Sequence, residues 1–178
     1  MTRGEVLEAS EGALHRPGVA VSVWVIGLAY RLALVPWVRF TGDESQFWQV
    51  SLRIARLESF PAFGPSLTGS AARHPGPAFH YLLALPQTLS SSPYAGSVFV
   101  ALLHAVAGAC VFRMADRAVG RVGGLAALAL FMFGPWNVLY GSSIWLSSVA
   151  PAWATFMLFC ASRASESRLA QGGLLFFV

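Results

Sequence analysis

Long apolar runs separated by short polar links dominate this chain. Residues 75–112 contain no Asp, Glu, Lys or Arg, and neither do residues 122–162. Each run exceeds the roughly 20 apolar residues that one helix needs to cross a bilayer. The pattern predicts an all-α fold, a polytopic bundle of transmembrane helices with four spans, at 19–38, 95–112, 119–134 and 145–161.

The regions outside these spans complete the predicted organisation. A polar tail occupies residues 1–18, and the transmembrane region at 19–168 contains one long outer loop, at 39–94. Residues 169–178 are apolar again and predict the start of a truncated fifth span, because about ten residues are too few to cross a membrane. We therefore expect a fragment of a longer protein or a shortened reading frame.

Composition and charge agree with a membrane protein. Of the 178 residues, 56% are hydrophobic and 11% are charged, against roughly 25% charged in ordinary soluble domains. The net charge of +4 comes from twelve arginines, which topology explains more simply than nucleic-acid binding, since cytoplasmic flanks accumulate Arg. The expected location is a bacterial inner or plasma membrane with a cytoplasmic N-terminus, and the arginines on that side are Arg3, Arg16, Arg113, Arg117, Arg121, Arg163 and Arg168.

The outer loop opens with a predicted amphipathic helix at 44–58. Its apolar residues recur every three or four positions and are Phe47, Val50, Ile54 and Leu57. Such a helix suits the membrane interface, with its apolar stripe facing the lipid.

Two adjacent carboxylates, Asp43 and Glu44, stand at the start of that helix. Asp43 with Gln46 three residues later has the spacing of a capping box, and Glu44 in the first turn complements the helix dipole. The same carboxylates also suit a general base, or a Mg²⁺ or Mn²⁺ ligand. Adjacent residues alone rarely form a metal site, so we assign no metal or cofactor, and a divalent cation stays an open alternative.

A series of short motifs resembles a known enzyme family. The segments "GDESQFW", "GPSLTG", "HPGPAFHYLLALP", "SPYAGSVFVALL", "RMADRAVGRVGGLAALAL" and "GPWNVLYGSSIW" follow one another at similar distances in the N-terminal part of GT-C membrane glycosyltransferases. The branch is that of dolichyl-phosphate-mannose protein mannosyltransferases and aminoarabinose transferases. The resemblance covers about 19–168 and departs at "YGSSIWLSS", where the branch carries an Arg and polar amides.

The resemblance implies transfer of a sugar from a polyprenyl-phosphate-linked donor to a lipid, glycan or protein acceptor at the outer membrane face. Asp43 matches the family's general base, and Glu44 would orient the acceptor or support Asp43. Arg73 and His74 stand where phosphate or acceptor would bind, although a loop Arg-His pair is more often merely solvated.

Arg31 interrupts the first span. A charge inside a span is costly and is by default a functional candidate for phosphate binding, although its long side chain also suits snorkelling to the interface. His80 and His104 lie on apolar helices without partners at metal-ligand spacing, which favours structural roles.

Two classes of function follow from the sequence. The first is the glycosyltransferase, or its N-terminal fragment, with Asp43 as base. The alternative is a non-catalytic small multi-pass membrane protein, acting as a partner, a scaffold or a degenerate relic of the transferase.

Overall fold

The computed structural model describes residues 17–66, 72–74, 76–164 and 172–173. These residues confirm the all-α prediction, since their only extended pairing is an isolated bridge between Ser66 and Arg73. The predicted tail up to residue 16, and the predicted fifth span apart from residues 172–173, lie outside the described part. Six α-helices follow one another in the described part of the chain, with 3-10 turns at Val35–Trp37 and Leu146–Ser148. The helices are α1 Pro17–Leu34, α2 Gly42–Ala55, α3 Ala78–Gln87, α4 Pro93–Phe133, α5 Pro135–Tyr140 and α6 Ala150–Arg163.

Two described helices are long and apolar enough to cross a membrane. They are Gly18–Trp37, with a mean hydropathy of 1.9, and Pro93–Phe133, with a mean hydropathy of 2.0. Helix α6 has 14 residues, about 21 Å at 1.5 Å per residue. It begins later than the predicted fourth span because residues Leu146–Ser148 form a 3-10 turn.

The 41-residue helix α4 is a hairpin rather than a rod. Gly120 breaks it with φ 81° and ψ 177°, a conformation open mainly to glycine. A Cβ added at Gly108 would lie 2.7 Å from the Met132 sulfur, and one added at Gly124 would lie 3.0 Å from the Asp116 Cβ. Both contacts are symmetric about residue 120, so the arms at 93–119 and 121–133 pack antiparallel. The predicted spans at 95–112 and 119–134 correspond to these arms.

The hairpin packs against α1 through small residues. The Met132 side chain is fully buried and lies between Gly27 of α1 and Gly108 of the first arm, where added Cβ atoms would come within 2.9 Å of it. Such small residues let helix backbones approach closely in membranes. The Trp24 indole also donates to the Ala105 carbonyl at 2.7 Å, which ties α1 to the hairpin.

Arg31 lies in this core with 0% of its surface exposed. Its Nη2 donates to the Phe131 carbonyl at 2.9 Å and its Nη1 to the Asn137 carbonyl at 2.5 Å. The Phe131 carbonyl would ordinarily accept from the residue four positions on, but that residue is Pro135, which has no N–H. Arg31 therefore supplies the donor that the helix break removes, and the expectation that it snorkels to the interface is wrong.

Helices α2 and α3 form a separate layer, which we call the outer layer, beside the C-terminal end of α1 and the Pro93 and Phe133 ends of α4. Phe47 of α2 meets Phe79 of α3 edge to face, with ring centroids 5.4 Å apart, in a buried cluster with Leu83, Val100 and Ile144. The amphipathic pattern is thus confirmed, but the expectation that its apolar stripe faces the lipid is wrong, because Phe47 and Ile54 are buried inside the protein and Phe47 packs against α3. Leu57 is an exception, because it lies beyond the helix end and is 74% exposed.

The start of α2 corrects the predicted cap. The N-cap is Thr41 and the N3 residue is Glu44, whereas the sequence pattern favoured Asp43 with Gln46. The Thr41 backbone N–H donates to the Glu44 carboxylate at 3.0 Å, and the Thr41 hydroxyl donates to the same oxygen. The helix begins one residue before Asp43, so the Asp43 side chain is not needed as a cap.

Candidate functional site

Three cavities adjoin one another around α2, and the first contains Asp43. This Asp43 cleft has a volume of about 830 Å³. Asp43 is exposed in the first turn of α2, and the 3-10 turn after α5 forms the opposite wall. The polar and aromatic residues that line it are Asp43, Gln46, Phe47, Ser66, His74, Trp145 and Ser147.

A second cavity, the Glu44 cleft, lies on the other side of Trp145, which lines both. Its volume is about 650 Å³, and most of its lining is apolar, including Leu34, Val38 and Leu139. Arg39 and Glu44 bring the two charges among its lining residues. Glu44 is only 9% exposed, and its carboxylate accepts hydrogen bonds from Thr41. The Glu44 cleft is therefore mainly apolar, and the exposed cation at its wall is Arg39.

The third cavity is smaller and polar, and we call it the arginine pocket. It encloses about 210 Å³ between α2, α3 and the loop before α3. It shares Gln46 and Ser66 with the Asp43 cleft. Its polar lining residues are Gln46, Arg53, Ser59, Ser66, Arg73 and His80.

Backbone pairing fixes the loop that carries Arg73 and His74. The Gly64 N–H donates to the His74 carbonyl at 3.0 Å, and the His74 N–H donates to the Pro65 carbonyl at 2.9 Å. Gly64 has little room for a side chain, since an added Cβ would lie 2.8 Å from the Gly76 carbonyl oxygen. The pairing points the two neighbouring side chains into different cavities, His74 into the Asp43 cleft and Arg73 into the arginine pocket.

The structure therefore divides the predicted site residues among four places. Asp43 and His74 share one cleft, Glu44 lines the next, and Arg73 lines the arginine pocket. Arg31 lies in the core, with two guanidinium nitrogens bonded to backbone carbonyls. A role for Arg31 in phosphate binding stays a prediction, and its observed contacts are structural.

His80 is a second buried titratable group of this outer layer, besides Glu44. Only 3% of it is exposed, and its ring contacts Phe47 and Phe79 at centroid distances of 5.9 and 6.1 Å. Burial among these rings lowers the His80 pKa below the ordinary 6.5, because desolvation disfavours the charged imidazolium. His80 is thus neutral at pH 7.

Sequence reasoning missed several lining residues. Gln46 was singled out only as part of a capping pattern, Arg53 was not singled out, and His80 was given a structural role. Their spacing does hold a signal, since positions 46 and 53 differ by seven and so share one helical face. The sequence does not show that this helical face lies close to Ser66 and Arg73.

The carboxylates and imidazoles are too dispersed to indicate a metal centre. Within the described ranges, no three His, Cys, Asp or Glu side chains are grouped closely enough to hold an ion. No family model, curated protein or solved structure matches this chain. The functional argument accordingly rests on the geometry of the three cavities.

Proposed function

We propose that this chain is a membrane glycosyltransferase, or part of one, that uses a polyprenyl-phosphate-linked sugar donor. The observation that carries the proposal is the juxtaposition of two clefts across Trp145. One is apolar with an exposed arginine, Arg39, and the other opens onto the free carboxylate of Asp43. A reaction between a lipid-linked sugar and a polar acceptor needs these two environments side by side.

The proposed topology has four spans: α1, the two arms of α4, and α6. The antiparallel arms of α4 support it, because a hairpin brings the segments before Pro93 and after Phe133 to one end of the molecule. The turn at Gly120 then lies at the opposite end, beside Arg113, Arg117 and Arg121. Arginines concentrate on the cytoplasmic side, so the cavities would face outward.

In this proposal the donor occupies the Glu44 cleft. Its isoprenoid tail would contact apolar residues such as Leu34 and Leu139, and its phosphate would pair with Arg39. The exposed Trp37 and Trp136 side chains, at 82% and 71%, suit the headgroup level of the bilayer. Access from the lipid is required because a long isoprenoid does not leave the membrane readily.

The acceptor hydroxyl would lie in the Asp43 cleft. Its oxygen attacks the anomeric carbon, the bond from that carbon to the phosphate oxygen breaks, and the phosphate leaves with the electron pair. The Asp43 carboxylate takes the hydroxyl proton as general base. His74 lines the same cleft and would orient the acceptor, whereas Glu44 supports Asp43 indirectly by fixing the start of α2.

The donor class can be tested with the purified protein in liposomes. We expect sugar transfer from short-chain polyprenyl-phosphate sugars to acceptors extracted from bacterial membranes, and none from nucleotide sugars. Transfer from nucleotide sugars alone would contradict the proposal.

A second candidate is a non-catalytic membrane protein that binds a partner. The exposed aromatic side chains of Phe60 and Phe63, 65% and 59% accessible, favour it, since adjoining exposed apolar groups often mark contact surfaces. The same assay separates the two candidates, because a scaffold gives no transfer with any donor class.

A further inference from the structure

The arginine pocket has the chemistry of an anion site. Among the described residues, its lining includes two arginines and no Asp or Glu. Arg53 and Arg73 are both exposed, and neither guanidinium forms an ion pair with any described residue. Two cations that converge on one small cavity without a carboxylate repel each other unless an anion lies between them.

The backbone around this pocket is held in place before any ligand arrives. Arg53 belongs to the last turn of α2, and Arg73 is fixed by its bridge to Ser66. The neighbouring backbone hydrogen bonds of Gly64 and His74 hold the same loop. A preformed site loses less entropy when it binds a ligand.

A buried polar atom independently indicates a missing partner. His80 lines this pocket and is only 3% exposed, and its buried Nδ1 atom has no hydrogen-bond partner among the described residues. Leaving a buried polar group unpaired is costly. A neutral imidazole presents one N–H donor and one acceptor nitrogen, so an oxyanion at this position can accept from the donor tautomer.

The size of the pocket limits the ligand. Its volume of about 210 Å³ is below the roughly 300–1,000 Å³ of sites for drug-sized ligands. It equals about seven water molecules at ~30 Å³ each. This space suits a single phosphate group and its immediate attachment, and it excludes a whole lipid-linked sugar.

We propose that Arg53, Arg73 and His80 form a binding site for a phosphate group, separate from the Glu44 cleft. Arginine pairs with phosphate through two parallel N–H···O bonds, and Ser59 and Ser66 add hydroxyl donors at the rim. The shared residues Gln46 and Ser66 place this site next to the Asp43 cleft. The inference does not depend on the proposed transfer reaction, because binding is measured without turnover.

The test is titration of the purified full chain in detergent with inorganic phosphate at constant ionic strength. We expect saturable binding by calorimetry and a phosphate-dependent rise in melting temperature. Arg53→Gln and Arg73→Gln should each weaken binding by about tenfold or more, since hydrogen bonds to charged groups are worth about 1.5–3 kcal/mol. Arg56→Gln is the matched control, because Arg56 is an exposed arginine of the same segment that does not line the pocket.

Two further ligands distinguish the source of the phosphate. Geranyl phosphate carries the same group on a short lipid, and geraniol lacks it. Binding of inorganic phosphate supports a site for free phosphate or soluble esters, and arginine-dependent binding of geranyl phosphate alone supports a lipid phosphate. No binding by either, equal binding of geraniol, or unchanged affinity in both arginine variants would overturn the proposal.

Discussion

The core and the outer layer of this protein treat their charged side chains in opposite ways. In the core, Arg31 is fully buried and bonded to the Phe131 and Asn137 carbonyls. In the outer layer, Arg53 and Arg73 are exposed, unpaired with described carboxylates, and directed into a cavity. The core charge completes the backbone hydrogen bonding, whereas the outer charges are available to a ligand.

This difference separates two roles that look alike in the sequence. An arginine inside a span and an arginine in a loop are both candidates for phosphate binding on residue type alone. The contacts show a structural role for the first, and we propose ligand binding for the second. Substitutions in the two regions should therefore affect different measurements.

The largest expected effect is on stability, from Arg31→Met. Methionine keeps much of the packing volume but leaves the Phe131 carbonyl without a donor, at about 1–3 kcal/mol, and removes a charge-assisted bond to the Asn137 carbonyl, which keeps the Gly141 N–H. We expect a loss of about 3 kcal/mol, measured by thermal unfolding in detergent. Arg39→Met is the control, since Arg39 is exposed. Equal melting temperatures for the two variants would contradict a structural role for Arg31.

A smaller loss should follow from overpacking the contact between α1 and the α4 hairpin. Gly108→Val would push against the Met132 side chain, and inserting bulk into a packed core costs about 1–3 kcal/mol. Adding Met132→Ala should recover part of this stability. Ala109→Val, on the neighbouring exposed position, should be close to neutral. A Gly108→Val protein as stable as wild type would argue against the antiparallel hairpin.

The corrected cap of α2 predicts a change of about 1 kcal/mol. Thr41→Ala removes the N-cap side chain, which typically costs that amount. Asp43→Asn should leave the melting temperature nearly unchanged, because Asp43 does not cap the helix. The opposite order of stability would restore the original assignment of Asp43 as the cap.

The smallest effect is a gain. Leu57 has φ 61°, and its N–H and that of Glu58 bond to the Ile54 and Arg53 carbonyls, a helix ending in which glycine is usual. Leu57→Gly should stabilise the protein by up to about 1 kcal/mol, since the left-handed conformation is unfavourable for residues with a Cβ. Leu57→Ala keeps the Cβ and should not gain, so equal effects of the two substitutions would exclude backbone strain as the cause.

Hydrophobic periodicity was sufficient to predict the helical class, the amphipathic segment and the apolar stretches of both α4 arms. It could not reveal the partners of Arg31, because the acceptor carbonyls lie about 100 residues away in the sequence. The Phe131 carbonyl is available only because Pro135 has no N–H to donate. The N-cap was misassigned because two pairs of residues have capping-box spacing, Thr41 with Glu44 and Asp43 with Gln46. Tertiary geometry decided between them.

The candidate site was predicted in its residue types and only partly in its arrangement. Asp43 and His74 were both singled out, and they line one cleft. Arg53 and His80 were not singled out. Arg53 has the pattern of a residue on a solvated helix face, and His80 has the pattern of a core residue. Their convergence depends on how residues 64–66 and 73–74 pack beside α2 and α3, which no local pattern specifies.

The central claim is that Asp43 performs chemistry while the buried groups around it maintain the fold. The most direct test is the initial rate of sugar transfer by Asp43→Asn, compared with wild type at equal melting temperature and with Gln49→Asn as a control on the same helix. We expect the Asp43→Asn rate to fall by about 100-fold or more, the usual contribution of a general base, with the control unchanged. A folded Asp43→Asn protein that transfers sugar at the wild-type rate would contradict the account.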